Sequence, residues 1–403
     1  MNLPSRPPGA ATPDRNRGID ALRGASILFV VINHLGIRIP LAKTALAQVL
    51  PMWLLRGLNW NGYESVFLFF VISGFLITRR SLERWGELPR TPLRQFYLLR
   101  ASRILPTLVL VVALFAAFHL AGVPYFVIDK PGQSLAGAIA SVFGLYLNVY
   151  EARYNYLAGG WDVLWSLSIE EVFYLAFPLL CVTLGRARWA FVAAMAALAL
   201  SLPYTHALLR AEYLQSHSEL AEIWLEKAYL PGMAAIALGV LAAMLAQRIS
   251  SPPKDAALAC CLIGLAGIGA IFFAGQFVFP WLRDGYMLLL IGSAASLVLG
   301  LHWQAASGAP WRLRALGWLC SCGRLSYEIY LFHMFVVFAI VGIARASGLD
   351  KEWGWLWYVP AAALSWLLGL AVSRGFSQPV ERRLRQKFGG NDAKPGMQAA
   401  GAG

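Results

Sequence analysis

Charge is scarce in this sequence. Only 14% of its 403 residues are Asp, Glu, Lys or Arg, where soluble domains carry about 25%. With 58% hydrophobic residues and a mean hydropathy of +0.58, the composition excludes an ordinary soluble domain. Cysteine is scarce too: Cys181, Cys260, Cys261, Cys320 and Cys322 lie in or beside apolar runs. They form no disulfide framework, and no His/Cys spacing around them suits zinc, so no metal is expected. The chain lacks a Gly-x-Ser-x-Gly elbow, a Walker loop and a dinucleotide fingerprint. Residues 1–18 are rich in Pro, Gly and Arg, and no small-residue cleavage site follows the first apolar run. A signal peptide is therefore not expected.

What the sequence has is apolar runs, at 22–38, 63–78, 104–122, 135–149, 163–184, 189–207, 228–247, 256–275, 284–302, 325–345 and 356–374. A bilayer crossing needs about 20 such residues. The positive charges give the topology, because Lys and Arg collect on the cytoplasmic side. Arg79, Arg80, Arg84, Arg90, Arg94, Arg100 and Arg103 crowd the stretch 79–103 against only Glu83 and Glu87. Arg186/Arg188, Arg248/Lys254, Arg312/Arg314 and the group Arg382, Arg383, Arg385 and Lys387 mark further cytoplasmic segments. Keeping all of them on one side requires an even number of crossings between 103 and 186. The shortest run, 135–149, is therefore read as a re-entrant or surface helix, which is allowed where it is buried in protein.

The expected fold is an all-α polytopic membrane helix bundle of about ten transmembrane helices plus that one re-entrant or surface helix. Residues 17–388 make one membrane domain. Segments 1–16 and 389–403 on either side of it are expected to be disordered and cytoplasmic. The expected localisation is a multi-pass protein of the plasma (bacterial inner) membrane with both termini in the cytoplasm. The net charge of +13 is a topology signal, since the basic residues flank spans and form no single patch, and nucleic acid is not an expected partner.

Ionisable residues inside spans are costly and mark candidate sites. Arg17 to His34 opens with Asp20 and Arg23 and carries His34 near its far end. Arg23 and His34 are eleven residues apart, so they share a helix face about 16 Å apart. Asp20 and Arg23, at i, i+3, are placed to pair. His34, with Asn33 beside it, is either a buried hydrogen-bonded histidine or a general base toward a hydroxyl. Glu170 and Glu171 stand within a span and must face protein or water. Adjacent residues point about 100° apart, so one carboxylate is expected to meet an arginine and the other an acceptor or a structural partner.

Arg100 and Arg103 share a face at the entrance of the 104–122 run. They serve as membrane-side anchors or as a phosphate cradle, because the guanidinium fork matches phosphate geometry. Ser73 and Gly74 form a small pair in an aromatic span. Gly74 suits close helix packing, and the alternative is a narrow passage for an acyl chain or thioester arm. Tyr327 and His333, with Ser326, Glu328 and Tyr330, lie in a further span, where interhelical hydrogen bonding and catalysis are both open.

Five blocks occur in order: IDALRG…NH, FFVISGFLI, the arginine-rich segment ending RASRILP, WSLSIEEVFY and LSYEIYLFH. In these the chain resembles the acyltransferase 3 family of integral membrane acyltransferases, over Arg17 to about Phe388. The resemblance implies transfer of an acyl group, commonly acetyl, from cytoplasmic acyl-CoA to a hydroxyl. The acceptor is a sugar of a surface polysaccharide, a lipid-linked glycan or a glycosylated small molecule. It implies essential roles for Arg23 and His34, donor binding by Arg100 and Arg103, and a motif role for Ser168, Glu170 and Glu171. Asn33 departs from the family, where an aromatic residue is frequent before the histidine. Some members carry a fused extracytoplasmic SGNH hydrolase-like domain. Here a short Gly/Ala-rich tail follows instead, and the expectation is one polypeptide that completes transfer or borrows a partner. The expected partners are the bilayer, acyl-CoA and a carbohydrate or glycosylated acceptor. Catalytic candidates are His34, Arg23, Asp20, Glu170 and Glu171; donor-binding candidates are Arg100, Arg103 and Ser73; Tyr327 and His333 are possible lining residues. Ten spans equally suit a transporter or flippase of a hydrophobic or lipid-linked solute, with the buried charges as a relay, and a regulatory scaffold is a third reading.

Overall fold

The computed structural model describes residues 15–250, 252–307 and 314–388. Most of the segments expected to be disordered, 1–14 and 389–403, lie outside the described residues. In chain order the helices are α1 (Arg17–Gly36), α2 (Met52–Asn59), α3 (Gly62–Trp85), α4 (Leu93–Leu120), α5 (Leu135–Phe143) and α6 (Leu147–Tyr154). They continue with α7 (Gly159–Asp162), α8 (Trp165–Leu184), α9 (Arg188–Leu200), α10 (Leu202–Ser216), α11 (Glu219–Lys227) and α12 (Tyr229–Arg248). The remainder are α13 (Lys254–Leu282), α14 (Tyr286–Ala306), α15 (Gly317–Arg324), α16 (Ser326–Ala346), α17 (Tyr358–Val372) and α18 (Gln378–Phe388). No strand occurs among the described residues.

Nine stretches among the described residues are long and apolar enough to cross a membrane. One of them, Lys254–Ala306, has 53 residues, about 80 Å of helix, far more than one crossing. It is α13 and α14, reversed at Arg283, whose φ is 44°. Gly264 packs on Leu297 and Gly300 on Cys261, the falling register of an antiparallel hairpin. Counting the hairpin as two brings the candidate crossings among the described residues to ten. The expected re-entrant piece at 135–149 is α5 and the start of α6. With nine residues, α5 reaches about 14 Å, too short to span.

Two apolar cores hold the bundle. The larger gathers α1, α3, α8, α9, α12 and α14. The smaller packs α4, α5, α6 and α7 against α16 through Phe115, Val142, Trp161 and Phe338. Pro106, Pro178 and Pro280 lie inside α4, α8 and α13, where membrane helices tolerate proline because neighbours satisfy the freed backbone groups. A Cβ at Gly74 of α3 would strike the Ile236 carbonyl of α12, and one at Gly239 of α12 would strike the Val71 carbonyl of α3. This reciprocal approach is the packing role expected of Gly74.

The arginine-rich ends of α3 and α4 define one end of the bundle. At the other end α6, α7 and α11 are tied by a buried ion cluster. Lys227 Nζ lies 2.8 Å from Glu151 Oε2 and also contacts Asp162 Oδ1. Glu151 is fully buried, and Glu151 Oε1 accepts from the Leu157 amide at 3.0 Å. Burial pushes the Glu151 carboxyl up from its ordinary range, against the pull of Lys227. Asn148 caps the tie by donating to the Lys227 carbonyl at 2.9 Å.

Candidate active site

A cavity of about 630 Å³ opens at the arginine-rich end. Its wall follows α3 from Trp85 to Val66, about 28 Å along the helix, nearly the thickness of a hydrocarbon core. α1 contributes Arg23, α3 Ser73 and Arg80, α4 Arg100 and Arg103, α8 Ser166 and Glu170, and α16 Tyr327 and Tyr330. Glu381 and Arg385 of α18 stand at the mouth and pair with each other at 2.5 Å.

The guanidinium groups fall into two sets. Arg100 is engaged: Nη2 lies 3.3 Å from Glu170 Oε1, Nε lies 3.9 Å from Glu171 Oε1, and its guanidinium carbon sits 3.4 Å from the Tyr174 ring centre. Glu170 Oε1 also accepts from Ser73 Oγ and Tyr174 OH. Both glutamates thus meet one arginine, contrary to the expected division of tasks. The long Arg side chain bridges the 100° between them, which helical spacing alone does not register. Arg23, Arg80 and Arg103 form the second set. No carboxylate lies within ion-pair distance of any of them among the described residues. They are within electrostatic reach of one another, and Arg23 makes one hydrogen bond, from Nη2 to Ser326 Oγ at 2.7 Å. Like charges converging on one cavity favour a polyanionic ligand.

Asp20 does not pair with Arg23. Its carboxylate accepts twice from Arg15 Nε, at 2.8 and 3.1 Å. Arg15 precedes the helix and can fold back onto it, whereas Arg23 reaches across to α16. Tyr327 is anchored through its OH to the Ile104 carbonyl at 2.9 Å.

His34 and His333 do not line the cavity. They form a second group just beyond it. Tyr330, at the cavity's inner end, donates to the Val163 carbonyl at 2.7 Å, and its oxygen lies 2.7 Å from Ser166 Oγ. The Tyr330 and His333 rings are 6.0 Å apart, and the His333 and His34 rings 4.9 Å apart. His34 and Arg23 therefore occupy different environments on one helix face. Arg38, one turn beyond His34, donates to the His34 carbonyl at 2.7 Å.

Sequence reasoning read Arg80 only as a topology charge and Tyr330 only as a hydroxyl beside His333, and it gave Ser166 no role of its own. Arg80 had a signal: it stands seven residues, two turns, past Ser73 on the same face of α3. Ser166 and Tyr330 had none stronger than a hydroxyl in a span.

These features define a polytopic helical membrane protein with a guanidinium-lined cavity and a histidine pair beyond it. The sequence profile of an acyltransferase domain matches residues 16–374, and the chain belongs to the acyltransferase 3 family. Over 173 residues, 40% of this chain, it is 29% identical to the O-acetyltransferase OatA of Staphylococcus aureus (strain NCTC 8325 / PS 47). The matched stretch is 24% of that relative. Over 164 residues, again 40% of this chain, it is 26% identical to the peptidoglycan O-acetyltransferase OatA of Listeria monocytogenes, of which it covers 23%. The matches thus span about a quarter of the length of these curated relatives. No solved structure matches.

Proposed function

We propose that the protein is a membrane O-acyltransferase that moves an acyl group, acetyl in the first instance, from acyl-CoA to a hydroxyl of a glycan. The observation that carries this reading is the arginine-lined cavity. Arg23, Arg80 and Arg103 converge there with no carboxylate within ion-pair distance among the described residues, an arrangement that suits the phosphates of a nucleotide-bearing thioester. The length of the cavity along α3 suits an extended donor whose acyl end lies beside Ser166 and Tyr330. The excess of Lys and Arg at this end supports a cytoplasmic mouth and cytoplasmic termini, on the side where acyl-CoA is found. The relatives' names mention O-acetylation, and one of them peptidoglycan, which supports a glycan acceptor as the reading for this chain.

His34 acts as general base in this reading. As the acceptor oxygen attacks the thioester carbonyl carbon, its proton passes to His34 Nε2. The carbon–sulfur bond then breaks, and the departing CoA thiolate takes that proton. Arg23, about 16 Å away on the same helix, binds the donor and takes no part in proton transfer. Arg100, held by Glu170 and Glu171, shapes the cavity wall.

Purified protein in vesicles, given radiolabelled acetyl-CoA and a peptidoglycan glycan fragment, should yield labelled acceptor. His34→Ala should lower the rate at least about a hundredfold at equal protein level, the ordinary contribution of a general base. Undiminished labelling with His34→Ala would contradict the assignment. A protein that moves solute but leaves no labelled acceptor would favour the transporter.

A further inference from the structure

The two imidazoles beyond the cavity fix each other's hydrogens. His333 Nδ1 lies 2.8 Å from the Tyr330 carbonyl oxygen and 3.2 Å from that of Ile329. A carbonyl oxygen only accepts, so Nδ1 carries the hydrogen. A neutral imidazole has one N–H, which makes His333 Nε2 an acceptor. That atom is 3.4 Å from His34 Nδ1, which is itself 2.9 Å from the Val30 carbonyl oxygen. His34 Nδ1 therefore also carries its hydrogen, shared between Val30 O and His333 Nε2. The one ring nitrogen of the pair left with a free lone pair, and with no hydrogen-bond partner among the described residues, is His34 Nε2. The His333 ring is fully buried and meets His34 at 66°, so neither ring can turn freely.

We propose that His333 is a positioning residue for His34. It holds the His34 ring with Nε2 as the open atom, and it supports the cation formed when that atom takes a proton. The proposal rests on the reading of His34 as general base. When His34 Nε2 is protonated, its Nδ1–H becomes a charged donor, and a bond from a charged donor is about twice as strong as a neutral one. The His333 Nε2 lone pair is the acceptor that gains this strength. The proton stays on His34 Nδ1, and His333 keeps its own hydrogen on Nδ1 toward Tyr330. No carboxylate hydrogen-bonds either ring among the described residues, so a neutral imidazole fills the place behind the base.

Two substitutions separate this role from packing. His333→Phe fills the space and removes the acceptor. His333→Gln keeps a carbonyl oxygen for His34 Nδ1–H and an amide to donate to the Tyr330 carbonyl. With radiolabelled acetyl-CoA and the glycan fragment, His333→Phe should lower kcat about tenfold to a hundredfold at unchanged KM for acetyl-CoA. His333→Gln should recover most of that loss. Equal rates for the two variants, whether high or low, would overturn the proposal.

A second readout does not depend on activity. Full-length protein in vesicles, carrying ring-nitrogen-labelled histidine, should show His34 with a protonated Nδ1 and a bare Nε2, its signals identified by their loss in His34→Ala. His333→Phe should move the Nδ1 resonance, and His333→Gln should restore it. A protonated Nε2 in the wild type, or an Nδ1 resonance indifferent to His333→Phe, would overturn the proposal. If the wild-type protein transfers no acetyl group, the proposed function fails, while the nitrogen spectra still decide what His333 does to His34.

Discussion

Arg100 and Arg103 stand one helical turn apart and answer to different partners. Arg100 is held by Glu170, Glu171 and the Tyr174 ring, whereas Arg103 meets no carboxylate among the described residues. Arg103→Ala should raise KM for acetyl-CoA about tenfold to a hundredfold with little change in kcat, the loss of a charge-assisted bond of about 1.5–3 kcal/mol. Glu170→Gln should instead act on stability. It weakens the Arg100 pair and the bonds from Ser73 and Tyr174, so the melting temperature of the solubilised protein should fall, by about 1–3 kcal/mol in free energy. An increase in KM with no change in melting for Glu170→Gln would reverse these two roles. Arg23, Arg103 and Glu170 stood out in the sequence as charges in or beside an apolar run, and Ser73 as half of a small-residue pair. The partners were not. Asp20 turns to Arg15 and Arg23 to Ser326 because side chains several bonds long choose among groups that the fold, and not the helix, brings near.

Helix spacing settled more at the level of elements. The short run at 135–149 could not span, and it is α5 with the start of α6. The hairpin of α13 and α14 was legible as two separate apolar runs. The tie at the far end was not, because Glu151, Asp162 and Lys227 are distant in sequence and each alone reads as a loop or helix-end charge. Lys227→Met should be strongly destabilising, by about 3–5 kcal/mol, because it strands the fully buried Glu151. Thermal unfolding in detergent measures this, and adding Glu151→Gln should recover part of the loss. The contact of α3 with α12 is equally specific. Gly74→Val places branched methyls against the Ile236 carbonyl and should cost about 1–3 kcal/mol, with a loss of folded protein that Ser73→Ala does not share.

At the scale of the molecule, the helix bundle lays an arginine-lined cavity against one end and a histidine pair beyond it, with Tyr330 between them. Such an arrangement separates the place where a charged donor is gripped from the place where a proton is taken. The proposed activity needs a donor on one side of the membrane and an acceptor on the other. Sealed vesicles bearing the protein, loaded with radiolabelled acetyl-CoA and bathed in a glycan acceptor that cannot cross the bilayer, put this to the most direct test. The expected result is label on the external glycan while the vesicles remain sealed, lost with His34→Ala. Label that reaches the glycan only after the vesicles are opened, or that reaches it equally without His34, would contradict acyl transfer through this bundle.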